Sequence, residues 1–230
     1  VTEKYYRKYH RTFNKLCKLV AQVDATSAIA HLSKYNGYVR PDIIEKEYGF
    51  VNAKKLRHPV LEKTTPSEYI PNDIIIGRNK KGEKGKKGEN NKGHIIYGVN
   101  ASGKSCFVRS VGISIIMAQA GMFVAAKRFT FSPFSSIFAK MSIHDCPLKN
   151  QSTFQVELES VRAILNNAGP KTCVLTDELF SSTETLSAIS LVAATLLRLA
   201  EKSSTFIFAT HLHHLQFIPE IKESNKINIF

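Results

Sequence analysis

Cysteine is scarce and scattered. The four thiols, Cys17, Cys106, Cys146 and Cys173, share no C-x-x-C pattern and no metal-ligand spacing. They read as reduced, mostly buried intracellular thiols, which argues against secretion and a disulfide framework. Long uninterrupted apolar runs are also missing. Phe107–Ala126 comes closest to a membrane span, but Arg109 lies near its start and the region reads as a buried core helix. No leader peptide is visible, no internal repeat is apparent, and the lack of an initiator Met ahead of Val1 suggests a fragment. Acidic residues are few: 19 Asp and Glu face 32 Lys and Arg, for a net charge of +13. That balance points to a polyanionic partner, nucleic acid before an acidic membrane, with a solubility-tuned basic surface as the plain alternative. The 230 residues, 43% of them hydrophobic, suffice for one large α/β domain or one domain plus an extension.

Against these absences stands one dense stretch, Gly98-Val99-Asn100-Ala101-Ser102-Gly103-Lys104-Ser105, which fits G-x-x-x-x-G-K-[ST]. The apolar run 94–97 before it reads as a buried strand, and Phe107–Met122 behind it as a helix. Strand, glycine turn and helix N-terminus make an anion site, because unpaired backbone N–H groups and the helix dipole converge there. Lys104 would reach the β- and γ-phosphates of a nucleotide, and the Ser105 hydroxyl would ligate Mg²⁺.

Residues 2–34 read as a basic amphipathic helix, with Phe13, Leu16, Val20 and Val23 at three- and four-residue intervals. Asn36-Gly37 and Pro41 end it, so 1–41 reads as the end of a longer helical arm and 42–230 as the main domain. Residues 48–76 read as a small β-rich flap, and 77–93 as a mobile basic Lys/Gly/Asn insert between two strands. Beyond 94 the pattern runs strand, helix, strand-rich patch (123–139), loop, helix (153–167), strand (172–176), helix (183–202), strand (205–209). Such alternation predicts an α/β fold: a mostly parallel sheet, helices on both faces, ligands at the carboxyl ends of the strands.

Two of those strands end in candidate chemistry. Cys173-Val174-Leu175-Thr176 leads into Asp177 and Glu178. An acid in the first position can hold Mg²⁺ through water, and a second directly after it can polarise an attacking water. The bland reading of the pair is a helix N-cap. Thr205–Thr210 leads into His211, placed to hydrogen-bond a γ-phosphate or the lytic water; His213 and His214 follow without a fourth partner for a metal.

Together these residues resemble the ATPase domain of the MutS family, the DNA mismatch-repair clamps, over nearly the whole chain. Arg57-His58-Pro59-Val60-Leu61-Glu62 is similar to R-H-P-x-x-E, and Tyr69-Ile70-Pro71-Asn72-Asp73 to F-[IV]-x-N-[DP]. Residues 98–106 correspond to G-P-N-M-G-G-K-S-T, Ser152–Leu158 to S-T-F-x-x-E-[ML], and Ala209-Thr210-His211 to A-T-H. The resemblance implies a P-loop NTPase of the ABC type that binds ATP or ADP with Mg²⁺ and hydrolyses ATP in a composite dimer site. Gly98, Asn100, Ala101, Ser102, Gly103, Lys104, Ser105 and Cys106 would hold the phosphates, and Tyr69 would stack on adenine. Ser105 and Asp177 would hold the metal. Lys104, Glu178 and His211 would act catalytically, and Ser152 would face the γ-phosphate bound by the other subunit. The implied partners are double-stranded DNA and a second copy or a MutS-like heterodimer partner; the implied setting is intracellular and DNA-associated, with no membrane.

This chain also departs from the family. Where the family has [IL]-G-x-G-T-x-T-x-x-G after the paired acids, it has Leu179-Phe180-Ser181-Ser182-Thr183-Glu184-Thr185-Leu186-Ser187-Ala188, so three glycines are replaced and the loop is expected to be stiffer. Ala101, Ser102 and Cys106 replace Met, Gly and Thr of the phosphate loop. Two alternatives follow: a non-hydrolysing nucleotide switch, or a basic DNA-binding module of another ABC-type, SMC-like DNA ATPase. A small-molecule kinase fits less well, because paired acids followed by a distant Thr-His imply water activation.

Overall fold

The computed structural model describes residues 2–66, 68–77, 92–99, 102–141, 153–181, 183–224 and 226–230. Helix α1 (Thr2–Asn36) leads into β1 (Asp42–Ile43), β2 (Phe50–Leu56), α2 (Leu61–Thr64) and β3 (Asn72–Gly77). Then come β4 (Gly93–Tyr97), α3 (Lys104–Gln119), β5 (Arg128–Ser132), β6 (Ser136–Lys140) and α4 (Thr153–Asn167). The chain continues through β7 (Thr172–Asp177), α5 (Thr185–Glu201), β8 (Thr205–Thr210), a 3-10 turn (His213–Phe217), α6 (Pro219–Lys222) and β9 (Ile227–Ile229).

Five strands form one sheet in the order β6-β7-β8-β4-β9, every neighbouring pair parallel. Strands β7 and β8 are buried at every residue, which is why the middle of each, residues 173–175 and 206–209, is consecutively apolar rather than alternating. Successive side chains point to opposite faces. Cys173, Leu175, Ile207 and Ala209 meet Val108, Val111 and Ile115 of α3 on one face. Val174, Phe206 and Phe208 meet Val161 and Ile164 of α4 and Val192, Leu196 and Leu199 of α5 on the other. Each fully buried Leu, Ile or Phe in these layers contributes roughly 1.5–3 kcal/mol.

A second sheet, β1-β5-β2-β3, covers the α3 face. The strand-rich patch 123–139 therefore divides: β5 pairs antiparallel with β2 of the flap, whereas β6 becomes an edge of the parallel sheet. This makes the flap continuous with the main core. The 77–93 insert runs from the end of β3 to the start of β4, and its residues 78–91 lie outside the described residues.

Helix α1 is roughly 50 Å long. Only its last turns pack on the domain, through Leu32 and Ser33; Phe13, Leu16, Val20 and Val23 are exposed. The R-H-P-x-x-E stretch secures this junction. Arg57 Nε donates to Glu62, Arg57 Nη2 donates to Asn36 O at 3.2 Å, and Tyr38 OH donates to Glu62 Oε1 at 2.9 Å.

Candidate nucleotide-binding and catalytic site

Strand β4 stops at Tyr97, and the backbone turns sharply before α3 starts at Lys104. Two glycines permit the turn. Gly103 sits at φ 94°, in the left-handed region, and a Cβ on Gly98 would lie 2.8 Å from Ser102 Oγ. Ser102 N–H donates to Val99 O at 3.2 Å, and Phe107 N–H to Gly103 O at 2.9 Å. Lys104 is 8% exposed, and its ammonium donates to Gly98 O at 2.6 Å and Val99 O at 2.9 Å. Ser105 and Cys106 follow in the first turn of α3, both half-buried, where the opening N–H groups of a helix have no intrahelical acceptors. Asn100 and Ala101 lie outside the described residues.

A cavity of about 1120 Å³ opens beside this turn, between the flap and the β4–β9 edge, lined by Tyr69, His94, Ser102, Gly103, Lys104 and Cys106 among others. A smaller one of about 150 Å³ lies around Gly49, Lys92 and Thr205, where β8 begins, at the opposite end of the strands from these groups. Tyr69 reaches the larger cavity half-buried; burial pushes its phenol up, with the His58 main chain, Ser110 and Cys106 beside it.

His94 is 5% exposed and packs against the Phe230 ring at 4.7 Å. Burial holds its imidazole down to about 4, only partly offset by the nearby Ile75 backbone. A depressed histidine favours the folded state fully above the unfolded value near 6.5, and that contribution is lost as pH falls toward about 4. Replacing His94 by Gln therefore narrows the stability difference between pH 7 and pH 4.5, by an amount on the order of 2–3 kcal/mol. Paired urea titrations at the two pH values check this; identical pH dependence in both proteins contradicts it.

The acids sit at the same end of the sheet as the turn. Asp177, Ala209 and Ile96 share one row across β7, β8 and β4, so Asp177 lies two strand spacings, roughly 10 Å, from the strand that feeds the phosphate loop. Its side chain is buried, and among the described residues Oδ1 has no hydrogen-bond partner. An orphaned carboxylate oxygen at a strand's carboxyl end suits a hydrated divalent cation, and a hard ion of that kind prefers oxygen donors. The N-cap reading of the pair does not hold: the residue that caps α5 is Glu184, whose carboxylate accepts from Leu186 and Ser187 N–H.

Glu178 adopts φ 53° and donates its N–H to Ala209 O at 2.9 Å, which ties it to β8. Its Oε1 stands 3.9 Å from Nδ1 of His211, and both side chains are partly open to solvent. Phe180 is also left-handed, at φ 59°, although it is bulky and 1% exposed. That conformation costs a non-glycine residue roughly 1–2 kcal/mol, so its neighbours must hold it there. The fold thus brings Lys104, Ser105, Asp177, Glu178 and His211 to one end of the sheet. Ser152 lies outside the described residues, and α4 begins at Thr153 directly after it.

Two buried charged residues near this end had no role in the sequence reading. Glu157 on α4 is buried, with the Lys140 charge at the end of β6 and the Phe180 amide favouring its charged form; burial nonetheless pushes its carboxyl up. Glu157 was visible only as the last fixed position of S-T-F-x-x-E, and no local pattern singled out Lys140.

A phosphate turn with its lysine, paired acids at the end of a buried strand and a histidine at the end of the next, on a parallel sheet with helices on both faces, define a P-loop ATPase-type α/β domain. The family model for MutS domain V matches residues 94–229, more than half of the chain. A DNA mismatch repair protein mutS homolog of Acanthamoeba polyphaga mimivirus is 32% identical over 98% of this chain and 22% of its own length. The DNA mismatch repair protein MutS of Cytophaga hutchinsonii is 34% identical over 92% of this chain and 24% of its own. The mitochondrial DNA mismatch repair protein mutS homolog of Sarcophyton glaucum is 32% identical over 91% and 21%. The chain belongs to the MutS family. It spans about a fifth to a quarter of the length of these curated relatives. Among the described residues no helix is long and apolar enough to cross a membrane.

Proposed function

We propose that this chain is the ATP-binding and ATP-hydrolysing part of a MutS-like DNA mismatch-repair protein, which acts as a dimer and closes on double-stranded DNA under ATP control. The observation that carries the reading is the convergence of the Lys104 turn, the orphaned Asp177 carboxylate and the Glu178–His211 pair at one end of the parallel sheet. Turn N–H groups and the Lys104 ammonium would take the β- and γ-phosphates, and Tyr69 would stack on the adenine. Ser105 and Asp177 would hold Mg²⁺, which supplies charge neutralisation between the β- and γ-phosphates. Glu178 would accept the proton of the attacking water, with His211 orienting that water or the γ-phosphate. Ser152 would complete the site from the partner subunit, a second copy or a related chain. The net charge of +13 supports a polyanionic partner such as DNA.

A second reading, a nucleotide switch without hydrolysis, is favoured by one observation: buried, left-handed Phe180 stands where the resemblance expects glycine. ATP turnover measured across a protein concentration series, with and without duplex DNA, separates the two. Specific activity that rises with concentration is expected for the composite dimer site. Nucleotide binding without turnover at any concentration supports the switch, and no binding at all rejects both.

A further inference from the structure

Phe180 is held against the start of one helix. Its ring packs on Phe154 with centroids 5.9 Å apart, and the Glu157 carboxylate lies close enough to its backbone N–H to feel it electrostatically. Phe154 and Glu157 lie three residues apart, on one face of the first two turns of α4. Glu157 is itself steadied by the Lys140 charge at the end of β6. Two residues before Phe180, Glu178 has its own left-handed backbone and an N–H bonded to Ala209 O of β8.

We infer that Phe180 is a positioning residue: it clasps the loop that carries Glu178 to the first turns of α4, so that the Glu178 carboxylate and α4 move as one body. A residue that merely filled the core would not need a left-handed backbone, and Phe180 takes one while its ring reaches the helix. Glycine would satisfy the backbone but leave the loop free to swing about the Glu178–Ala209 bond. With phenylalanine, a rotation of α4 must carry Glu178 with it, and Glu178 cannot leave His211 while α4 stays docked on β7 and α5. The inference rests on the hydrolytic reading for its consequence, but the clasp itself is a mechanical statement.

The experiment uses the full chain and compares Phe180→Gly, Phe180→Leu and Glu157→Gln with the unsubstituted protein. Backbone hydrogen exchange is read at residues 153–160 and 178–183, together with ATP affinity and single-turnover hydrolysis. In Phe180→Gly, both segments lose protection together, ATP affinity stays within about twofold, and turnover falls roughly tenfold to a hundredfold through misplacement of the base. Phe180→Leu, which keeps an apolar anchor, recovers most of the turnover. Glu157→Gln keeps the ring pair, serves if Phe180→Gly does not fold, and shows a smaller loss of the same pattern. Exchange that rises only at 178–183 overturns the coupling. Turnover equal to that of the unsubstituted protein overturns the positioning role, and so does a Phe180→Gly deficit that Leu does not relieve. If the unsubstituted protein hydrolyses nothing, the hydrolytic reading fails alone, and joint or separate loss of protection still decides the clasp.

Discussion

Glu178→Gln leaves ATP binding within about twofold and lowers single-turnover hydrolysis by roughly 10²–10⁴-fold. The substitution keeps the side chain's shape and removes only its capacity to take a proton. The backbone that aims it, φ 53° with the N–H on Ala209 O, is independent of the side-chain charge. Because the carboxylate is partly open to solvent, amide in its place leaves no buried charge unpaired and disturbs the fold little. The neighbouring histidine is the competing base: His211 lies 3.9 Å away and points its Nδ1 at Glu178. If His211 took the proton, Glu178→Gln would be mild and His211→Ala severe. Rapid-quench hydrolysis of radiolabelled ATP, alongside equilibrium binding of a fluorescent nucleotide, separates these outcomes. Undiminished hydrolysis in Glu178→Gln removes this residue from the chemistry.

Lys104→Ala acts one step earlier and abolishes nucleotide binding at ordinary concentrations. Its ammonium is buried and already directed into the turn by Gly98 O and Val99 O, so a phosphate exchanges with two carbonyl acceptors at little reorganisation. Loss of a buried, charge-assisted contact of this kind costs about 2–4 kcal/mol, or roughly 30- to 1000-fold in Kd. Alanine also leaves those carbonyls without their donor, so a general loosening of the turn could imitate lost recognition. Lys104→Met leaves the same carbonyls without a donor but keeps the aliphatic stem, and thermal unfolding of both variants shows how far the turn has loosened. Isothermal titration with ATP is expected to show weak binding in both variants, with thermal stability nearly preserved in the methionine variant. Unchanged Kd in both would mean that the phosphates are held elsewhere.

The two substitutions test groups of unequal legibility. Lys104 belongs to eight consecutive residues whose chemistry is local, so the strand, turn and helix start could be placed from the sequence within a few residues. Strands β7 and β8 were equally plain, because the middle of a strand buried on both faces is consecutively apolar. The divided fate of 123–139 was hidden. β5 and β6 are both short β-prone runs, and only the partners available in space send one to the flap and the other to the parallel edge. The acid pair shows the same limit. Its position at a strand end was readable, whereas the rival N-cap role could be dismissed only once Glu184 was seen bonded to the N–H groups of α5.

By itself the sequence determined the α/β class, the strand and helix on either side of the Gly103-Lys104 turn, the order of strands and helices after it, and the residues that end those strands. All of these follow from backbone preference and hydrophobic period, which act between near neighbours. Tertiary structure alone decided the strand order β6-β7-β8-β4-β9, the anchoring of α1 through Arg57, Glu62 and Tyr38, and the left-handed seat of Phe180. Each depends on groups far apart in the chain that meet only after folding. Phenylalanine at φ 59° is unfavourable taken alone and becomes tenable once the Phe154 ring and the buried cluster around it are there to hold it.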